Sequence, residues 1–92
     1  MITHFADRRL RDFHLRGVGR RLPPQMLDAI EEILDDLDHA VSPRDMNRPG
    51  YRLHQLSGDM AGLWSVRVTG NWRIVFRFDG PDVRDVRLID YH

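Results

Sequence analysis

Residues 72–79 read Trp72-Arg73-Ile74-Val75-Phe76-Arg77-Phe78-Asp79. A strand sends successive side chains to opposite faces, so Trp72, Ile74, Phe76 and Phe78 share one face while Arg73, Val75, Arg77 and Asp79 share the other. Four large apolar groups on one side require a covering layer; the arginines opposite require water or an anionic partner. Thr69-Gly70-Asn71 before this run and Asp79-Gly80-Pro81 after it are turn sequences. The period of two continues on both sides, which predicts strands over 51–56, 63–68, 72–78 and 83–91, with Gly58-Asp59 breaking the first pair. Links this short pair strands antiparallel. In the register these alternations imply, the second face of the sheet carries Arg52, His54, Arg67, Arg73 and Arg77.

Toward the N-terminus the period lengthens. Residues 2–5 suit a short strand, and Ala6, Leu10 and Phe13 then recur at helical spacing in a run closed by Gly17, a left-handed C-terminal residue, with Val18 placed to pack back on Phe13. Pro23-Pro24 suits a helix start, after which Met26, Leu27, Ile30, Ile33, Leu34 and Leu37 make one apolar stripe ending near His39. Two helices covering one sheet face give an α+β domain. Asp35, Asp36 and Asp38 fall in the last turns of the second helix, where the dipole disfavours negative charge, so nearby arginines are expected there.

With 92 residues, 41% of them hydrophobic, the chain is sized for one core, and it is read as a single domain over 1–92. The absence of cysteine removes disulfides, thiolate catalysis and Cys-based metal centres, and fits a cytoplasmic setting. No apolar run approaches the ~20 residues a spanning helix needs, and residues 1–4 lack a signal-peptide pattern, so neither export nor a membrane partner is expected. The net charge of zero conceals a division. All fourteen cations are arginines and none lies between Leu22 and Pro43, where six carboxylates fall; the rest of the chain sets fourteen arginines against eight carboxylates. That excess suits an anionic partner. Arg20 and Arg21, with Arg8, Arg9, Arg11 and Arg16, suit either a grip on RNA or pairing with the acidic helix.

Cutting RNA near neutral pH requires a base for the ribose 2′-OH, a cation for the phosphorane and an acid for the departing 5′ oxygen. His54, Arg73 and the closing Asp90-Tyr91-His92 supply those chemical types, imidazole being suited to proton transfer near neutrality. Taken alone, a strand histidine and a polar tail are equally compatible with an ordinary surface. Trp64 and Trp72 fall on the apolar side of their strands and are expected to anchor the core. His4, His14 and His39 read as surface residues, and no two histidines have a metal-ligand spacing.

The series Tyr51-Arg52-Leu53-His54-Gln55-Leu56, Gly58-Asp59, Gly62-Leu63-Trp64-Ser65-Val66, Asn71-Trp72-Arg73-Ile74 and Asp90-Tyr91-His92 closely resembles the HigB toxins of the RelE superfamily. The resemblance spans nearly the whole chain. It implies a small RelE-like α+β fold, two N-terminal helices packed on one face of a twisted, mainly antiparallel sheet. It also implies a type II toxin that cleaves translated mRNA in the ribosomal 30S A site, in contact with rRNA, without metal or cofactor. The partner would be a HigA-type helix-turn-helix antitoxin, through which alone operator DNA is reached. Family active-site residues fall on His54, Arg73, Asp90, Tyr91 and His92. Arg73 would hold the phosphate; Tyr91 would stack on a base or bond the phosphate; His54 would orient the 2′-OH or share charge. Asp90 and His92 would be base and acid in an order left open. Arg52, Arg67, Arg77, Arg20 and Arg21 are the expected RNA contacts.

One position departs from the pattern: where the family commonly reads His-x-Leu-Lys-Gly, Ser57 follows Leu56. A cation expected near the phosphate is missing, and Arg52 and Arg67 are candidates to replace it. Ser57 also supports the alternative of a binding module that pairs with its antitoxin and helps repress their operon without cutting RNA.

Overall fold

In a computed structural model, which describes residues 1–91, the chain forms two helices, α1 (Arg8–Arg16) and α2 (Leu27–His39), and four strands, β1 (His54–Gln55), β2 (Trp64–Thr69), β3 (Trp72–Asp79) and β4 (Asp82–Asp90). The strands pair antiparallel in the order β1-β2-β3-β4. Three 3₁₀ turns, Pro24–Met26, Pro43–Met46 and Gly58–Met60, join them. Two-residue loops connect β2 to β3 and β3 to β4, with Gly70 at φ 54° and Gly80 at φ 61°, the positive torsions that tight hairpins require.

The predicted faces are realised. Ile74 and Phe76 are wholly buried with Val66 of β2 and Val83, Val86 and Leu88 of β4, under Met26, Ile30, Ile33, Leu34 and Leu37 of α2 and its approach, with Leu10 from α1. Trp64, Trp72 and Phe78 pack around the margin of that cluster, half-buried. Asp7 caps α1, its carboxylate accepting from Arg9 N–H at 3.0 Å and from Leu88 N–H of β4 at 3.1 Å. Gly17 ends that helix in the left-handed region, φ 73°. The Gly17 N–H bonds the Phe13 carbonyl at 3.0 Å and the Val18 N–H the Asp12 carbonyl at 3.3 Å, the pairing of that cap, with Val18 39% exposed.

Three expectations are corrected. Residues 2–5 make no strand of their own: Ile2 and Phe5 form isolated parallel bridges to Val83 and Val86, on the outer edge of β4. The first predicted strand shrinks from 51–56 to His54–Gln55, because Arg52 adopts φ 50° and breaks the ladder, while the Tyr51 carbonyl takes Arg67 N–H at 2.6 Å. The α1 arginines do not pair with α2. Arg9 binds Asp7 and Arg11 binds Asp12, as Arg21 also does at 4.0 Å. The C-terminal charge of α2 is relieved instead by Arg48, 2.6 Å from Asp36, and by the Ile2 N–H, which donates to Asp38 at 2.9 Å. Among the described residues, no helix is long and apolar enough to cross a membrane.

Candidate active site

The face of the sheet turned away from the helices is assembled by register. His54 pairs with Ser65, Ser65 with Val75 and Val75 with Arg87, so these four form one row across the sheet. The next row is Arg67, Arg73 and Ile89, and a third pairs Arg77 with Arg84. Between the first and third rows β4 carries a bulge at Asp85, φ 58°, and the extra residue puts Arg84 and Arg87 on one face although they are three apart. This face is not uniformly open. Val75 and Ser65 are fully buried and so is Leu56; Val75 and Leu56 lie outside the main core cluster, as an apolar patch beneath the charged side chains. Arg73 and Arg77 flank Val75 along its strand and Arg87 lies across from it.

Arg73 is the most constrained of these cations. Its Nη1 donates to Ser65 Oγ at 3.1 Å and to the Arg52 carbonyl at 3.5 Å, and its guanidinium lies 5.9 Å from the centre of the Tyr91 ring. A planar guanidinium fixed along one edge keeps its remaining N–H groups aimed outward, the geometry for an oxyanion or phosphate. The loop carrying Arg52 and His54 is itself tied to α2: the Tyr51 hydroxyl donates to Asp36 at 2.5 Å, beside Arg48. Burial, that hydrogen bond and the negative charges of Asp36 and Glu32 push the Tyr51 hydroxyl far above the usual phenol range, so it remains a donor.

Of the five residues expected to act, three share this face. His54 is exposed on the edge strand, Arg73 is half-buried and Tyr91 is 40% exposed, its N–H bound to the Asn71 carbonyl at 2.8 Å. Asp90 differs: it is the cross-strand partner of Trp72, which assigns its strand position to the helix-covered face, exposed at the end of β4. His92 lies outside the described residues. Arg67 and Arg77 are on the arginine face, Arg67 donating to Gly70 O at 3.4 Å and Arg77 sitting 3.5 Å from Asp85, whereas Arg52 is exposed in the loop, with only its carbonyl shown to reach Arg73. Arg20 and Arg21 are exposed on the link between the helices, in the other layer. Ser57 is exposed at the head of the Gly58–Met60 turn.

Sequence reasoning missed Ser65, Arg84 and Arg87. Counting back by twos from Tyr91 reaches Ile89 and Arg87 and identifies the latter. Arg84 needed the bulge, and Ser65 needed the β2–β3 register, which sets it diagonal to Arg73.

Residues 3–92 match the family described as RelE-like toxin of type II toxin-antitoxin system HigB. The chain is 38% identical over all 92 residues, and over the full length of the relative, to Endoribonuclease HigB of Proteus vulgaris. It is 31% identical over 80 residues to Toxin HigB-1 of Vibrio cholerae, covering 85% of this chain and 84% of that one. Among solved structures, a YoeB-YefM complex from Staphylococcus aureus superposes over 100% of this chain and 95% of its own, with a TM-score of 0.65 at 20% identity. A YoeB/ParE toxin from Agrobacterium tumefaciens does so over 96% of each chain, with a TM-score of 0.60 at 21% identity. At those identities the likeness is one of fold.

Proposed function

The chain belongs to the HigB-like toxins, RelE-like members of type II toxin-antitoxin systems, and on that premise we propose that it is an endoribonuclease. Its substrate is mRNA under translation in the A site of the 30S subunit, and a cognate HigA-type helix-turn-helix antitoxin holds it in check. The observation that carries this reading is the Arg73 guanidinium, fixed by Ser65 and the Arg52 carbonyl on the face that also bears His54 and Tyr91. A charge held this way needs no reorganisation when a phosphorane forms beside it, which is how such groups lower a barrier.

In the reaction the ribose 2′-oxygen bonds to phosphorus and gives its proton to a base, while the P–O5′ bond breaks and O5′ takes a proton from an acid. The products are a 2′,3′-cyclic phosphate and a 5′-hydroxyl; the chemistry consumes no water and requires no cofactor or metal. Arg73 binds the non-bridging oxygens, Tyr91 holds the adjoining base or phosphate, and His54 orients the 2′-OH. The proton transfers are assigned to residues 90 and 92: His92, and Asp90 acting from the exposed end of β4, where its strand position belongs to the other face. Arg52, Arg67, Arg77, Arg20 and Arg21 are assigned to RNA backbone contacts, and the site of action is the cytoplasm.

The competing reading, a corepressor that binds antitoxin without cutting, rests on the neutral Ser57. Inducing the toxin alone and mapping 5′ ends of cellular RNA separates them. Cuts in phase with codons and confined to translated frames are the expected result, lost in Arg73→Ala. Cuts in untranslated RNA overturn the ribosome requirement, and growth arrest without cuts favours the corepressor.

A further inference from the structure

Arg87, half-buried, stands out on the arginine face because one of its guanidinium nitrogens, Nε, is buried and hydrogen-bonds nothing within the protein. No carboxylate of the described residues forms an ion pair with it. The nearby Asp85 is already shared between His4, at 2.8 Å, and Arg77. An unmet buried donor on a permanent cation is costly and is retained where some other group meets it.

Register says where that group would sit. Val75 pairs with Arg87 and Arg73 with Ile89, so Arg87 is the diagonal neighbour of Arg73 on the same face, with Cβ atoms ~7–8 Å apart. Two arginines at that separation with no carboxylate between them repel unless an anion lies over the Val75 position and takes a donor from each. Arg84 is exposed but lies across from Arg77, beyond the bulge and further from Arg73 than Arg87 is, and the other cations are otherwise engaged. Arg67 donates to its own hairpin at Gly70, Arg77 is held by Asp85, and Arg52 stands in the loop, where its carbonyl serves Arg73.

We infer that Arg87 and Arg73 form a two-armed clamp on the scissile phosphate, with Arg87 supplying the second cation that position 57 lacks. This rests on the endoribonuclease reading. A phosphodiester presents two non-bridging oxygens, one for each guanidinium, and charge developing on them in the phosphorane strengthens both contacts.

The test uses single-turnover cleavage of ribosome-bound mRNA at saturating toxin, with Arg87→Gln and Arg87→Lys compared against the parent and thermal melts run on each. Arg87→Gln is expected to lower the saturating rate about 10- to 100-fold while the protein stays folded, and Arg87→Lys to recover part of the loss. A saturating rate for Arg87→Gln within twofold of the parent overturns the clamp, even if more toxin is needed for saturation. Should Arg87→Gln fail to fold, the decision falls to Arg87→Lys: the clamp requires a rate below the parent, because an ammonium lacks the fork, and parity overturns it. If the parent does not cleave at all, the nuclease reading fails separately. The phosphate contact is then read from the salt dependence of binding to a short single-stranded RNA, where Arg87→Gln must reduce the log–log slope by roughly 0.7; an unchanged slope overturns it.

Discussion

Arg73 and Trp72 are neighbours in sequence with opposite obligations. Arg73 is anchored on its inner edge by Ser65 and the Arg52 carbonyl and makes no contribution to the main core cluster. Arg73→Ala is therefore expected to shift stability by less than about 1 kcal/mol while cleavage falls by two orders of magnitude or more, about 3 kcal/mol of transition-state stabilisation. A melt that drops sharply for this variant would show the guanidinium to be part of the packing. Ser65→Ala tests the anchor itself. It removes one hydroxyl from a buried site, leaves Arg73 with the longer Arg52 contact, and should slow cleavage several-fold with the melting temperature nearly kept; Ser65→Thr should restore activity if its hydroxyl reaches the same donor. Trp72 is only half-buried, so the substitution that unfolds the protein lies further along the strand: Phe76→Ala, at 0% exposure, should cost about 3 to 5 kcal/mol.

Asp7 joins two elements. Its carboxylate caps α1, takes the Leu88 N–H of β4 and pairs with Arg9 at 2.8 Å, so the helix start is fastened to the strand that delivers Arg87 and Tyr91. Burial pushes the Asp7 carboxyl up, but the hydrogen bonds from Arg9 and Leu88 outweigh it and hold the group below its usual 3.8. With the native value depressed, the ionised group contributes stability above the unfolded value and loses it as pH falls through the native one. Asp7→Ala should thus cost about 2 kcal/mol at pH 7, a cap deletion with an orphaned strand N–H added. The gap to the parent should narrow below about pH 4. Melts of both proteins from pH 7 down to strong acid measure this, and a gap independent of pH would remove the charge from the account. The 51–54 loop is fastened to α2 in the same manner, through Tyr51 and Asp36, which makes Tyr51→Phe a probe of how tightly that helix positions Arg52 and His54.

At the scale of the molecule an acidic helix flank and an arginine-bearing sheet face look away from each other. The acidic face of α2 belongs to the helical side, and Arg52, Arg67, Arg73, Arg77, Arg84 and Arg87 gather on or beside the far face of the sheet. Ribosome binding driven by counterion release weakens with salt in proportion to phosphate contacts. Charge-reversing Arg67 and Arg84 should flatten that dependence, whereas Asp28→Asn with Asp35→Asn, on the exposed flank of α2, should leave binding undiminished. Filter binding across a salt series decides it, and a loss in the aspartate pair would reverse the proposed polarity. Tyr91 lies beside the Arg73 guanidinium, which is 5.9 Å from its ring centre, so anything fused after residue 92 would crowd that cation. A C-terminal fusion should impair toxicity more than an N-terminal one at equal expression.

Alternation along 72–79 and the apolar stripe of 26–37 were enough to determine the α+β class, the covered face, the helix bounds near His39 and the arginine-bearing face. Each follows from a period that one element carries by itself. Arg87 follows from the same alternation counted back from Tyr91, but Ser65 and Arg84 were not legible that way, because Ser65 meets its partner from another strand and the Asp85 bulge shifts the parity of β4 before Arg84. Asp90 and Tyr91, adjacent in a motif, part to opposite faces by the strand alternation itself. The α1 arginines illustrate the complementary limit: composition balanced them against α2, but Asp7 and Asp12 lie within reach along the same helix and take Arg9 and Arg11 first. Periodicity assigns a side chain to a face; only the packed sheet assigns it a partner, because partnership depends on register, and register is set by contacts between segments distant in sequence.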